Sequence, residues 1–121
     1  MQLVINGKEY NFKFGIKFVR EMDRKYNVTL NGAVFGTSMD TVARKLFIGD
    51  VTALVDVLAV ASLTENPKVK VPEIEEYIET TEDIEALFDK VTDELRASNA
   101  TKLGFTKVSL ELEGTKNTAA K

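Results

Sequence analysis

Two short strand-like runs, 2–5 and 8–13, the second alternating polar and apolar residues, meet across Asn6-Gly7, and this junction constrains the fold more than any other feature. A two-residue type I′ turn needs positive φ at both central positions, and Asn-Gly meets that demand at low steric cost, so a β-hairpin is predicted at the N-terminus. Phe14, Phe18, Met22 and Tyr26 then recur every fourth residue, with Val19 alongside. That spacing predicts a helix over about 15–26 whose opposite face carries Lys17, Arg20, Glu21, Arg24 and Lys25.

The remaining periodicity is mostly helical. Asn27 opens a predicted loop marked by Asn31-Gly32 and Gly36. Thr37-x-x-Asp40 resembles a capping box and starts a helix near Ser38, with Met39, Val42, Leu46 and Phe47 inward. Gly49 suits a helix end, and Asp50 suits the cap of the next helix. That helix, 51–63, is apolar on more than one side, so it either lies deep in the core or completes its burial against another chain by self-association. Pro72 fits the first turn of a short helix. A last helix starting near Thr80 or Thr81 carries Ile84, Leu87, Phe88, Val91 and Leu95. From Ser98 the pattern changes, and the period-two alternation of 107–113 predicts an extra strand near residues 105–113. The expected fold is therefore α+β and mainly helical: an N-terminal hairpin packed on four to five helices. The expected core comprises Val4, Phe14, Phe18, Val19, Met22, Leu46, Leu54, Leu58, Leu87, Phe88 and Val91. Residues 1–98 form the predicted globular domain. Residues 99–121 form a C-terminal extension, weakly structured or dependent on a partner, with 114–121 a solvated tail.

With 121 residues the chain has the size of one domain and buries roughly two-thirds of its unfolded surface. It has no cysteine and no histidine, which removes disulfides, thiolate metal sites, the usual general base and the catalytic triad together. Gly32-x-x-x-Gly36 lacks the Lys-Ser/Thr of a phosphate loop. No enzyme activity and no cofactor are expected. The N-terminal run lacks a signal peptide's basic and apolar regions, and 51–63 is interrupted by Asp56 and too short for the ~20 residues of a membrane span, so a cytosolic protein with no membrane partner is expected.

Charge is unevenly distributed. Residues 1–50 hold eight Lys/Arg against five acids, a net +3, and residues 51–100 hold four against twelve, a net −8. The acids concentrate in Glu73, Glu75, Glu76, Glu79, Glu82, Asp83 and Glu85, with no Lys or Arg between them. The plainest reading is a solvated helix face; the functional one is a docking surface for a lysine-rich segment. A calcium site is disfavoured because the Asp/Asn/Gly loop spacing is missing. The basic face of the first helix lacks interleaved exposed aromatics, and the chain is acidic overall, so no nucleic-acid partner is expected. The phenylalanines at 12, 14, 18, 35, 47 and 88 have core-like spacings.

The segment VINGKEYNFKFGIKFVREMDRKYNV, most specifically Phe14-Gly15-Ile16-Lys17-Phe18-Val19-Arg20-Glu21, together with the following Asn31-Gly32 and Phe35-Gly36 turns, resembles the tail assembly chaperones of long-tailed phages and prophages of Gram-positive bacteria. The resemblance covers about residues 1–95 and fades beyond Asn99. It implies a chaperone of tail morphogenesis that binds the tape measure protein and tail tube subunits in the host bacterial cytoplasm and is left out of the mature virion. Two alternatives stand beside it: a structural tail or head–tail connector protein, usually dominated by strands, and a small acidic inhibitor that blocks a basic site.

Overall fold

The N-terminal hairpin forms as its turn demands. In the computed structural model, which describes residues 1–119, β1 (Gln2–Ile5) pairs antiparallel with β2 (Lys8–Asn11). Asn6 and Gly7 between them have φ of 53° and 76°. Leu3, Ile5 and Tyr10 point into the protein, whereas Val4 points out and is 62% exposed. The expected core position of Val4 is thus corrected by one residue: strand side chains alternate, and the inward set is Leu3 and Ile5.

The chain then enters α1 (Ile16–Lys25), which buries Phe18 and Met22. Phe14 meets Phe18 edge to face with ring centroids 5.1 Å apart. The stretch expected as a loop is a second hairpin, β3 (Asn27–Leu30) with β4 (Ala33–Gly36), turned by Asn31 and Gly32 at φ of 51° and 80°. It forms its own two-stranded sheet, separate from the first.

Next come α2 (Ser38–Phe47), α3 (Val51–Ala61), α4 (Val71–Thr80), α5 (Ile84–Ala97) and α6 (Lys102–Ala119), six helices in all among the described residues. Gly49 ends α2 at φ 76°, and Asp50 caps α3 by accepting from the N–H groups of Thr52 (3.0 Å) and Ala53 (3.2 Å). The capping box expected at Thr37 does not form. Instead Asp23, reaching across from α1, accepts the Ser38 N–H at 3.1 Å. Helix α5 starts at Ile84, a little later than the pattern suggested, because Asp83 caps it through the Ala86 N–H at 3.0 Å.

Helix α3 is the centre of the core. Ala53, Leu54, Val57, Leu58, Val60 and Ala61 are all buried within the chain, so most of its apolar surface is covered internally, and Val51 at its start stays 46% exposed. Around it lie Phe12, Phe14, Phe18 and Met22 from the N-terminal third and Ile74, Leu87, Val91 and Leu95 from α4 and α5. Val19 and Phe88 pack on this core half-buried, while Phe35 and Phe47 are half-exposed and do not belong to it.

The strand expected near 105–113 is helix, and the physical reason lies in the packing of α6. Thr101 is buried and donates its hydroxyl to the Leu95 carbonyl at 2.7 Å, which turns the chain back onto the bundle. Phe105, Val108 and Leu112, three and four residues apart, then face α2 and α5. The alternation of 107–113 arises because Leu110 faces water on the other side. Gly104, a residue that disfavours helix, marks a close approach: a Cβ there would lie 3.2 Å from the Met39 Cβ on α2. Backbone through 119 is helical where a tail was expected at 114–121, and residues 120–121 of that tail lie outside the described residues.

Candidate partner-binding surface

The acidic cluster sits on α4, on the turn after it and at the start of α5. Helix α4 begins with Pro72 in its first turn and turns Ile74 and Ile78 inward, which obliges Glu75, Glu76 and Glu79 to face water. Glu82 and Glu85 are exposed as well. The other two acids are used by the fold. Glu73 accepts the Tyr10 hydroxyl at 3.0 Å, tying α4 to the first hairpin, and Asp83 caps α5. Burial of Tyr10, reinforced by its bond to the Glu73 carboxylate, pushes its hydroxyl above the ordinary tyrosine range. Five acids, Glu75, Glu76, Glu79, Glu82 and Glu85, are therefore exposed with no ion pair to any described residue.

Beside Glu85 the surface opens into a groove that sequence reasoning did not find. It has a volume of about 390 Å³ and runs between the end of α2 and the start of α5. Phe47, Val51, Ile84 and Phe88 line it, and Glu85 and Asp89 stand at its lip. Past Leu46 and Phe88 it continues into a hollow of about 190 Å³ bounded by Arg96, Phe105 and Leu112. The signal was present in the width of the apolar stripe on α5. Leu87, Val91 and Leu95 supply its buried face, so Ile84 and Phe88, displaced to one side, exceed what the core needs. Phe47 and Val51, 47% and 46% exposed, do the same at the α2–α3 corner, with Ile48 beside them.

An apolar trough with a carboxylate lip suits an amphipathic helix bearing lysines or arginines along one edge. Among the described residues no group of three or more His, Cys, Asp or Glu is placed to hold a metal ion, and no helix is long and apolar enough to cross a membrane. The basic face of α1 is partly neutralised at home: Glu21 pairs with Lys17 at 3.3 Å and with Arg24 at 3.1 Å.

A family model described as phage tail assembly chaperone protein, TAC, matches residues 2–109. No curated protein and no solved structure matches the chain.

Proposed function

The chain belongs to the phage tail assembly chaperone family, and from that premise we propose that it holds the tape measure protein and tail tube subunits in soluble form during tail building. The tape measure protein is read as docking a basic amphipathic segment on the acidic-lipped groove. What carries this reading is an apolar trough lined by Phe47, Val51, Ile84 and Phe88 with Glu85 and Asp89 beside it, at the end of a segment whose Glu75, Glu76, Glu79 and Glu82 have no ion pair among the described residues. Clustered like charge is unfavourable unless water or a cationic partner relieves it. Such contacts are worth only about 0–1 kcal/mol each at an exposed site, so the trough supplies affinity and the acids supply register and salt sensitivity. The role is stoichiometric and non-enzymatic, exercised in the host cytoplasm, and the protein leaves before the virion is complete. The predominance of helix favours a chaperone over a strand-dominated tube or connector component.

Co-expression with the tape measure protein is the test. The wild-type chain should keep it soluble and co-purify with it, less so as salt rises. A variant with Lys at Glu75, Glu76, Glu79 and Glu82 should lose at least about nine-tenths of the co-purified partner, the tenfold change that 1.4 kcal/mol produces. Equal recovery with both proteins refutes the acidic surface as the docking site. Failure of the wild type to co-purify refutes the tape measure reading as a whole.

A further inference from the structure

The second hairpin is the part of the molecule that the fold does not use for itself. All eight residues of β3 and β4 are exposed, including Val28, Leu30, Val34 and Phe35. The register Val28↔Phe35 and Leu30↔Ala33 gathers four apolar side chains on one face. The opposite face turns toward α1 at its base, where a Cβ on Gly36 would lie 2.3 Å from the Asp23 carboxylate. The apolar face therefore points away from the body, uncovered by any described element.

The edges carry no protection in their sequence. In a two-residue I′ hairpin the pair flanking the turn, Leu30 and Ala33, exchanges backbone hydrogen bonds, so the next pair, Thr29 and Val34, directs its N–H and C=O groups outward. Soluble proteins protect such edges with charged residues, prolines or bulges. The segment 27–36 contains no charged residue and no proline, and its register is continuous. An isolated two-stranded hairpin is also only marginally stable in water, so this one gains most from a third strand.

We propose that β3 is a strand-addition site for an extended partner segment with alternating apolar side chains and carboxylates where it passes the base of the hairpin. The β3 edge is the freer of the two because β4 is the strand that packs on α1. The carboxylates follow from charge. Helix α1, which leads directly into β3, carries Lys17, Arg20, Arg24 and Lys25 against Glu21 and Asp23, and Arg20 and Lys25 have no ion pair among the described residues. A second copy fits less well. It would bring up an equally cationic base, and the four apolar side chains amount to an area on the order of a few hundred Å², against about 800 Å² per partner in a stable interface. An added strand instead draws its affinity from main-chain hydrogen bonds. This surface is separate from the acidic-lipped groove and does not depend on it.

The test uses the full chain and ten-residue synthetic peptides alternating valine and threonine, with three aspartates at one or the other end, or three lysines in their place. Amide hydrogen exchange is followed at residues 27–36. At least one aspartate peptide should slow exchange at Thr29 tenfold or more at saturation, and its lysine counterpart should bind at least tenfold more weakly. Thr29→Pro removes the outward N–H without touching the hairpin's own ladder and should abolish peptide binding, read as loss of peptide-induced protection at Asn27, the other outward-facing amide of β3, while Val34→Pro should not. Unchanged exchange of the α3 amides will show that both variants are folded. The variant with Lys at Glu75, Glu76, Glu79 and Glu82 should bind the peptides at least as well as wild type. Absence of protection with every peptide, equal binding of the lysine peptides, or indifference to Thr29→Pro would each overturn the proposal. So would protection of Thr29 that appears without peptide and grows with protein concentration, since the occupant would then be a second copy.

Discussion

Replacing Gly36 with alanine should damage a helix two residues further on, through a residue on a different element. The added methyl would stand 2.3 Å from the Asp23 Cγ and Oδ2, a distance no real contact sustains, so the carboxylate must swing away. That carboxylate is the acceptor for the Ser38 N–H at the start of α2, at 3.1 Å in a partly buried setting. Losing a helix cap costs about 0.5–2 kcal/mol, and bonds to charged groups sit toward the upper end. Alanine also restricts the unfolded chain, which returns about 0.4–1 kcal/mol. Gly36→Ala is therefore expected to cost roughly 0.5–1.5 kcal/mol, and Asp23→Ala, with no such return, roughly 1–2 kcal/mol. In the Asp23→Ala background the clash has no partner, and adding Gly36→Ala should be neutral or stabilising by up to about 1 kcal/mol. Urea denaturation of the four proteins measures the cycle. Additivity within about 0.5 kcal/mol would refute the argument, because independent sites behave that way.

Phe18→Ala and Phe105→Ala should each cost roughly 3–5 kcal/mol in the same assay, since both rings are 2% exposed, whereas Val4→Ala should stay within about 0.5 kcal/mol. Tyr26 donates its hydroxyl to Asp56 at 2.8 Å, and burial together with that carboxylate pushes its pKa up to about 12. A raised pKa means that the folded state keeps the proton longer, so this contribution is complete below the unfolded value near 10 and fades as pH climbs to 12. Denaturation midpoints between those pH values should fall less steeply for Tyr26→Phe than for wild type. Asp50 is held below the usual carboxylate range, first by the Thr52 hydroxyl at 2.7 Å and then by the Ala53 N–H. Its capping of α3 is thus present above the unfolded carboxylate pKa and lost as pH falls through the folded one. Asp50→Ala should cost about 1 kcal/mol at neutral pH, and the difference from wild type should shrink on acidification below about pH 4.

The sequence was most legible where one residue pair leaves the backbone little choice. Asn6-Gly7 specified both the first turn and its register, and the four-residue spacing from Phe14 to Tyr26 specified α1. The second hairpin carries the same Asn-Gly signal at 31–32, but its strands are not half-buried, so the alternation that burial imposes on a strand is missing. In α6 the reverse happened. A core-facing set at 105, 108 and 112 and an outward Leu110 superimposed to imitate a period of two. The parity of β1 was hidden because Leu3, Val4 and Ile5 are consecutive apolar residues, and only packing chooses between the two faces. Gly36 and Gly104 look like breakers in one dimension and are contact points in three. At the surface, the run of acids was plain in the sequence, but not which of them the fold consumes. Glu73 and Asp83 are spent on Tyr10 and on the cap of α5, which takes contacts across the chain to see. The groove escaped because it draws on residues more than thirty positions apart.

The attachments of the N-terminal segment set an order of events during synthesis. The Lys13 N–H donates to the Ala61 carbonyl at 2.8 Å, Tyr10 waits for Glu73, the Gln2 carbonyl for Lys90, and the Phe14 carbonyl for the hydroxyl of Ser98. Leu3, Ile5, Phe12 and Phe14 thus leave the ribosome before most of what will cover them has been translated. At about 5–20 residues per second, the 84 positions from Phe14 to Ser98 take roughly 4–17 s. For that interval the nascent chain displays an apolar surface that only its own later helices will cover.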